Sequence, residues 1–293
     1  MTTDQRRTKR GKQEMRRVKL ILVWVVLVCL VQPVWVPGGA EADEQFFILV
    51  TNDDGYRAPG LKALAEALAP LGEVLVAAPL ENQSGVGHAT TTREFVAVRP
   101  VEISPGIKGF AIAARPATCT RLALEALVPR RPDLVVSGIN PGMNLGIVVY
   151  YSGTLGAARE AALVGIPAVA VSMQGNAAED YAATAAFVRR LVEQLRAQGR
   201  LRPGLFLNVN APAGERKGAA VVRLSNTPTP QSFDRTVNPR GDVFYWSDFG
   251  PLADDAEGTD VWAVSRGFIA LTPLAIDATA TSEVEGLRRV IKE

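Results

Sequence analysis

A doubly wound α/β fold with a mostly parallel sheet is what this sequence predicts from Phe46 onward. Three observations predict it. Apolar runs of strand length, FFILVTN, VLVAAP, DLVVSGIN, PAVAVSM and FLNVNAP, read as strands buried on both faces. The segments between them carry apolar residues at helical spacing. The two kinds of segment alternate, as repeated βαβ units do.

The first strand, Phe46–Asn52, runs into Asp53-Asp54-Gly55. The helix after it places Leu61, Leu64, Leu68 and Leu71 on one face, and Gly72 closes it. Val74–Pro79 is the second strand, and the period-two pattern of Arg93–Ala114 predicts further strands. Cys119–Leu127 then reads as helix, Asp133–Asn140 as strand, Gly153–Gly165 as helix and Pro167–Met173 as strand. Ala178–Gly199 is a long helix and Phe206–Pro212 another strand. Asn226–Pro273 breaks the rhythm, being rich in Pro, Gly and aromatics, and predicts one or two hairpins. Gly267–Asp277 is an apolar strand-like run that needs an edge to pair with, supplied either by a partner subunit or by its own chain. Thr281–Lys292 is a short polar helix. The expected architecture is thus Rossmann-like, with a β-hairpin-rich C-terminal extension over about 226–293.

The N-terminus reads as an address. Residues 1–19 are polar and basic, Leu20–Val31 is unbroken and apolar, and Ala40-Glu41-Ala42 is a small-residue cleavage site. Residues 1–42 are expected to be a signal peptide cleaved after Ala42, making the product exported and periplasmic. An uncleaved anchor through residues 20–36 is the alternative, as is a cytoplasmic protein starting near Glu44. The formal net charge of +2 mixes two segments, for residues 43–293 hold 24 basic and 27 acidic side chains, a net of −3. That balance argues against a nucleic-acid partner. With hydrophobic residues at 47%, the remainder can bury a sizeable core as one domain, 43–293. Cys119 has no cysteine partner once Cys29 is removed, and a lone cysteine is more often a core residue than a nucleophile. His88 is the only histidine, which excludes a His-rich zinc site and leaves one candidate for any Ser-His-Asp triad.

In doubly wound sheets ligands bind beyond the carboxyl ends of the strands. Here three strand ends deliver Asp53 and Asp54, then Ser84, then Asn140. Carboxylate, hydroxyl and amide oxygens suit a hard divalent cation, Mg²⁺ or Mn²⁺. Asp53 as a helix cap and Asn140 as a turn residue are the plainer explanations; the coincidence of three strand ends favours a metal. Ser152-Gly153-Thr154 opens a helix, where backbone N–H groups can hold an anion as well as be capped. A helix start beside a metal reads as phosphoryl chemistry.

The segments ILVTNDDGYRAPGL, AAPLENQSG, RPDLVVSGINPGMNLG, YSGTLGAAREAALVGIPAVAVS, NPRGDVFYW and GTDVWAVSRGFIALTPL resemble the SurE family of stationary-phase survival nucleotidases, in family order. The resemblance implies a Rossmann-like core, one divalent cation per subunit and hydrolysis of nucleoside 5′- and 3′-monophosphates, with short polyphosphate a further substrate of some members. It puts the metal ligands at Asp53, Asp54, Ser84 and Asn140. The mechanism expected for such a site has Asn140 and the helix start Ser152, Gly153 and Thr154 neutralise the phosphoryl oxygens, and Asp53 or Asp54, the latter preferred, orient a water or take its proton. The resemblance also implies a homodimer or homotetramer with exchanged C-terminal segments. Departures from the family pattern are Ile147-Val148 where an acidic pair is usual, an Asp lost from Ala114–Cys119, and the signal segment itself. A haloacid-dehalogenase-like phosphatase is disfavoured, because its two Asp are separated by one residue and these are adjacent. A non-catalytic exported nucleotide binder and a broad acid phosphatase or exopolyphosphatase are the remaining rivals.

Overall fold

The computed structural model describes residues 45–250 and 255–291. The expected signal segment, 1–42, lies outside the described residues. Among those described, no helix is long and apolar enough to cross a membrane.

Nine strands form one sheet. β1 is Phe47–Thr51, β2 Glu73–Pro79, β3 Val98–Ser104, β4 Ile107–Ile112 and β5 Leu134–Pro141. β6 is Ala168–Met173, β7 Phe206–Ala211, β8 Ala219–Val221 and β11 Ile269–Pro273. Their order across the sheet is β3-β4-β2-β1-β5-β6-β7-β11-β8. β4, β2, β1, β5, β6 and β7 run parallel, while β3 and β11 pair antiparallel to their neighbours β4 and β7. All five residues of β1 are buried, as a strand covered on both faces requires.

Helices supply those covers. On one face α1 (Pro59–Leu68) and α4 (Ala178–Ala197) pack Leu61, Leu64, Leu68, Val188 and Leu191 against Ile48 and Val50. On the other, α2 (Pro116–Leu122) and α3 (Gly153–Leu163) pack Cys119, Leu155, Ala158 and Ala161 against Leu49 and Val135. The alternation Ile48, Leu49, Val50 across two cores is the period of a strand turned into a three-layer sandwich. Each such large side chain contributes about 1.5–3 kcal/mol by leaving water.

Several boundaries differ from the sequence expectation. Pro59 starts α1 two residues early, because its fixed φ suits the first helical position. The helix ends at Leu68, and a 3₁₀ turn, Ala69–Leu71, carries the chain to Gly72. The segment expected as one helix over Cys119–Leu127 is α2 followed by a wider π-helical turn, Ala123–Leu127. The larger correction concerns β11. It needs no partner subunit for an edge: it pairs within its own chain, antiparallel to β7 and parallel to β8. β7 leaves an open edge beyond β6, and the apolar β11 fills it. The hairpin predicted within 226–273 is present as β9 (Gln231–Val237) and β10 (Val243–Phe249), a separate two-stranded sheet. Two further helices close the chain, α5 (Asp260–Ser265) and α6 (Thr281–Val290).

Candidate active site

The strand order places a crevice beside β1. From β1 the chain first steps to β2, then returns to β5 on the opposite side. Loops leaving β1 and β5 therefore diverge, and the gap between them is where doubly wound sheets hold ligands.

One cavity of about 360 Å³ opens there, lined by Asp53, Asp54, Ser84 and Asn140 among others. The four residues expected as ligands from three separate strand ends thus share one hollow. β1 ends at Thr51, so the two Asp lie in a turn and need not point to opposite faces. Gly55 closes that turn at φ +100°, a left-handed conformation open to glycine. Ser84 arrives on the loop after β2, where its backbone N–H donates to Asn82 Oδ1 at 2.7 Å. That loop is tied to the acid pair by the Gln83 N–H, which donates to the Asp53 carbonyl at 2.7 Å. Asn140 sits beyond a register shift in β5. Its Nδ2 donates to the Gly142 carbonyl at 2.6 Å, which keeps Oδ1 as the amide's lone-pair donor.

Asp53 is 3% exposed. Thr154 Oγ1 donates to its Oδ1 at 2.5 Å. Burial nonetheless drives the Asp53 carboxyl above the ordinary range, against the hydrogen bonds from the Thr154 side chain and backbone. Asp54 is pushed up to about 7, by burial first and by the neighbouring Asp53 second. Its Oδ2 is buried without a hydrogen-bond partner. A buried and an adjacent half-buried carboxylate, with an orphan oxygen, form an acceptor set that lacks positive charge. A divalent cation fits that set and would reverse the pKa direction of both acids. Among the described residues no group of three or more His, Cys, Asp or Glu side chains could hold a metal. The remaining donors must then be neutral oxygens, as Ser84 and Asn140 are, which points to a hard cation.

The expected phosphate contacts Ser152, Gly153 and Thr154 take two different positions at the start of α3. Ser152 lines the cavity and caps α3, its Oγ accepting from the Leu155 N–H at 3.2 Å. Gly153 and Thr154 instead stand behind Asp53. A Cβ on Gly153 would lie 2.7 Å from Asp53 Cβ. The Thr154 hydroxyl is spent on the carboxylate. The positive end of α3 therefore faces Asp53.

Three supports escaped the sequence reading. Asn144 lines the cavity and is held by Asn208 and Asn210, whose Nδ2 groups donate to its carbonyl at 2.8 and 3.2 Å. Two asparagines on one face of a doubly covered strand were the available signal. Asp260, fully buried, accepts from Gly146 N–H at 2.7 Å and from Ser225 N–H at 2.8 Å, fixing the segment before Tyr151. His88 serves no triad: its Nε2 donates to Glu160 Oε2 at 2.6 Å, while Arg121 Nε donates to Oε1 at 2.6 Å. Cys119 is buried with its thiol pushed up to about 12 by burial, so it is a core residue as expected.

The His88–Glu160 pair ties the Ser84 loop to α3. The His88 hydrogen bond first, and Arg121 after it, hold Glu160 below the usual carboxylate range despite its burial. A depressed folded pKa adds stability above the unfolded value of 4.5, lost as pH falls through the folded value. Glu160→Gln is expected to cost about 1 kcal/mol near neutrality, because two half-exposed donors lose their charged acceptor. Urea denaturation near pH 7 and again near pH 3 checks this. The gap between variant and wild type should shrink in acid, and an equal gap at both pH values rejects the pairing as its source.

The acid pair and the neutral oxygen donors in the switch-point crevice of this doubly wound sheet are the donor types that a hard divalent cation takes. The profile of the family described as Survival protein SurE matches residues 48–231. The chain belongs to the SurE family. It is 44% identical over 246 residues to the 5′-nucleotidase SurE of Geobacter metallireducens, covering 82% of this chain and 96% of that one. It is 40% identical over 249 residues to the 5′-nucleotidase SurE 1 of Thermus thermophilus, covering 84% and 98%. The crystal structure of the SurE protein from Aquifex aeolicus superposes with a TM-score of 0.72 at 35% identity, covering 83% of this chain and 99% of that one.

Proposed function

We infer that this chain is a divalent-metal-dependent phosphatase that hydrolyses nucleoside 5′-monophosphates to nucleoside and phosphate. The observation that carries this is the shared cavity of Asp53, Asp54, Ser84 and Asn140. Relatives of like length are named 5′-nucleotidases. Nucleoside 3′-monophosphates are the second substrate that the family resemblance implies.

Asp53, Asp54, Ser84 and Asn140 would hold the cation, with Mg²⁺ or Mn²⁺ the expected species. When bound, it supplies charge neutralisation to the phosphoryl oxygens and acidifies a water. The protein's own groups do the rest. Asp54, the less buried acid, accepts a proton from the attacking water. Asp53 is the fixed member, held by Thr154. The Asn140 amide and Ser152 face the phosphoryl group from the β5 and α3 sides. Gly153 and Thr154 act on phosphate through Asp53, not by contact.

Phosphate release from AMP, with and without EDTA, tests the reading. Activity should vanish with EDTA and return with Mg²⁺ or Mn²⁺, and the better of the two identifies the preferred metal. Turnover unaffected by EDTA rejects the metal site, whereas AMP binding without turnover favours a non-catalytic binder.

Export rests on residues 1–42 alone. The product is expected outside the cytoplasm with Asp43 as its N-terminus by mass spectrometry; an intact run through Val36 in membranes would establish the anchor instead.

Assembly rests on the β9–β10 hairpin. All its residues are exposed, Phe233, Phe244, Tyr245 and Trp246 by 60%, 52%, 64% and 74%. A lone two-stranded hairpin is marginal in water, and an apolar patch of this kind marks a contact surface. A second copy covers it. Sedimentation of residues 43–293 at micromolar concentration should show a dimer or tetramer, and a fully active monomer excludes that role.

A further inference from the structure

The cavity that holds the four ligand residues is also lined by apolar side chains: Pro141, Val148, Tyr151 and Phe249. Tyr151 precedes the α3 cap Ser152, so the segment that positions the acid end also positions this ring. Phe249 ends β10 and brings the hairpin to the same cavity. The two ring centroids are 6.0 Å apart, with planes tilted by 32°. Tyr151 is 49% and Phe249 48% exposed. An aromatic pair that lines this cavity and keeps half its surface in water offers a π-face to a ligand there.

The geometry points to Tyr151 and Phe249 as a stacking platform for the nucleobase of the substrate. This rests on the phosphatase reading of the same cavity. A phosphoryl group at the Asp53–Asp54 end leaves the nucleoside to lie toward the aromatic wall. The base stacks on the open faces of the pair, since a 6.0 Å gap between rings in van der Waals contact range leaves no slot for a third ring. Stacking tolerates every base, because each has a π-face. Nearby amides are partly committed. Asn144 Nδ2 donates to Ser172 Oγ at 2.7 Å, and Asn82 Oδ1 accepts from Ser84 N–H at 2.7 Å. Contact with a base edge is left to Asn144 Oδ1 and Asn82 Nδ2. The platform therefore sets a preference for nucleotides over sugar phosphates, and for the larger purines over pyrimidines.

The test compares kcat/KM for AMP with kcat/KM for ribose 5-phosphate, which has the phosphate and sugar but no base. In wild type AMP should be preferred. In Tyr151→Ala and in Phe249→Ala the AMP-to-ribose-5-phosphate ratio should fall about tenfold, mainly through KM for AMP. Tyr151→Phe and Phe249→Tyr keep an aromatic face and should keep the ratio. The ratio corrects for partial unfolding, which lowers both activities together. Phe249 is the last residue of its strand and lies outside the buried cores, so its alanine variant is the safer to fold. A wild-type ratio near one, or a ratio unchanged in both alanine variants, overturns the platform while leaving the phosphatase intact. Wild-type inactivity on both compounds overturns the phosphatase reading itself.

Discussion

Asp53→Asn and Asp54→Asn should each lower kcat/KM for AMP by about a thousandfold, with Mg²⁺ or Mn²⁺ in excess. Each replacement keeps the size of the side chain and removes one negative charge from the cation's ligand set. Asp54→Asn also loses the group that takes the proton from water. In Asp53→Asn the new amide oxygen can still accept from Thr154 Oγ1, so the start of α3 should stay in place. Stability should move the other way. Burial raises both carboxyl pKa values, so ionising them opposes folding in the metal-free chain. That penalty is absent below the unfolded pKa of 3.8 and complete for Asp54 once pH has risen past about 7. A neutral amide removes it. Each metal-free variant should then melt at or above the metal-free wild type near pH 8, and should gain little on adding the cation. Near-normal turnover in both variants, or a wild-type thermal shift with metal, would displace the cation from these residues.

The sequence carried the site further than it carried its supports. Buried strands announce themselves as apolar runs, and the ends of such runs are where polar residues concentrate. Asp53, Asp54, Ser84 and Asn140 were each legible as strand-end residues, and the structure lines one cavity with them. What the pattern could not give was the direction of a hydroxyl. Thr154 lies 101 residues beyond Asp53, and at a helix start it serves equally well as a cap, an anion contact or a carboxylate donor. Only the packing of α3 against the sheet selects the last. Asp260 is similar, for the groups it accepts from lie 114 and 35 residues away. Local period says nothing about such distant partners. β11 failed for a related reason. A terminal apolar strand needs an edge, but the sequence does not say whose. The open side of β7 decides it in favour of the same chain.

Gly153→Ala is the substitution in which the fold's tolerance at the site is tightest, and it should reduce kcat/KM by about a hundredfold. The added Cβ would stand 2.7 Å from Asp53 Cβ and 2.8 Å from Oδ2. Real Cβ atoms do not approach so closely, so either the α3 start or the Asp53 side chain must shift. Alanine is the better helix former by about 1 kcal/mol, which favours the variant. Overpacking a fitted contact costs about 1–3 kcal/mol, which opposes it. The contact wins or the two cancel, so the stability loss is at most about 2 kcal/mol and the protein still folds. Catalysis is less forgiving, since a displacement of about 1 Å at a reacting group costs on the order of a hundredfold. Ser152 should move with the helix start, and Thr154 should lose its bond to Asp53. Gly286 supplies the control. It lies inside α6, and a Cβ there meets nothing within 4 Å. Gly286→Ala should therefore add up to about 1 kcal/mol of helix stability and leave turnover alone. Steady-state rates and urea midpoints for the two variants separate helix propensity from crowding at the acid pair. A Gly153→Ala enzyme within about twofold of wild-type kcat/KM would show that the position of Asp53 is not what the helix start controls.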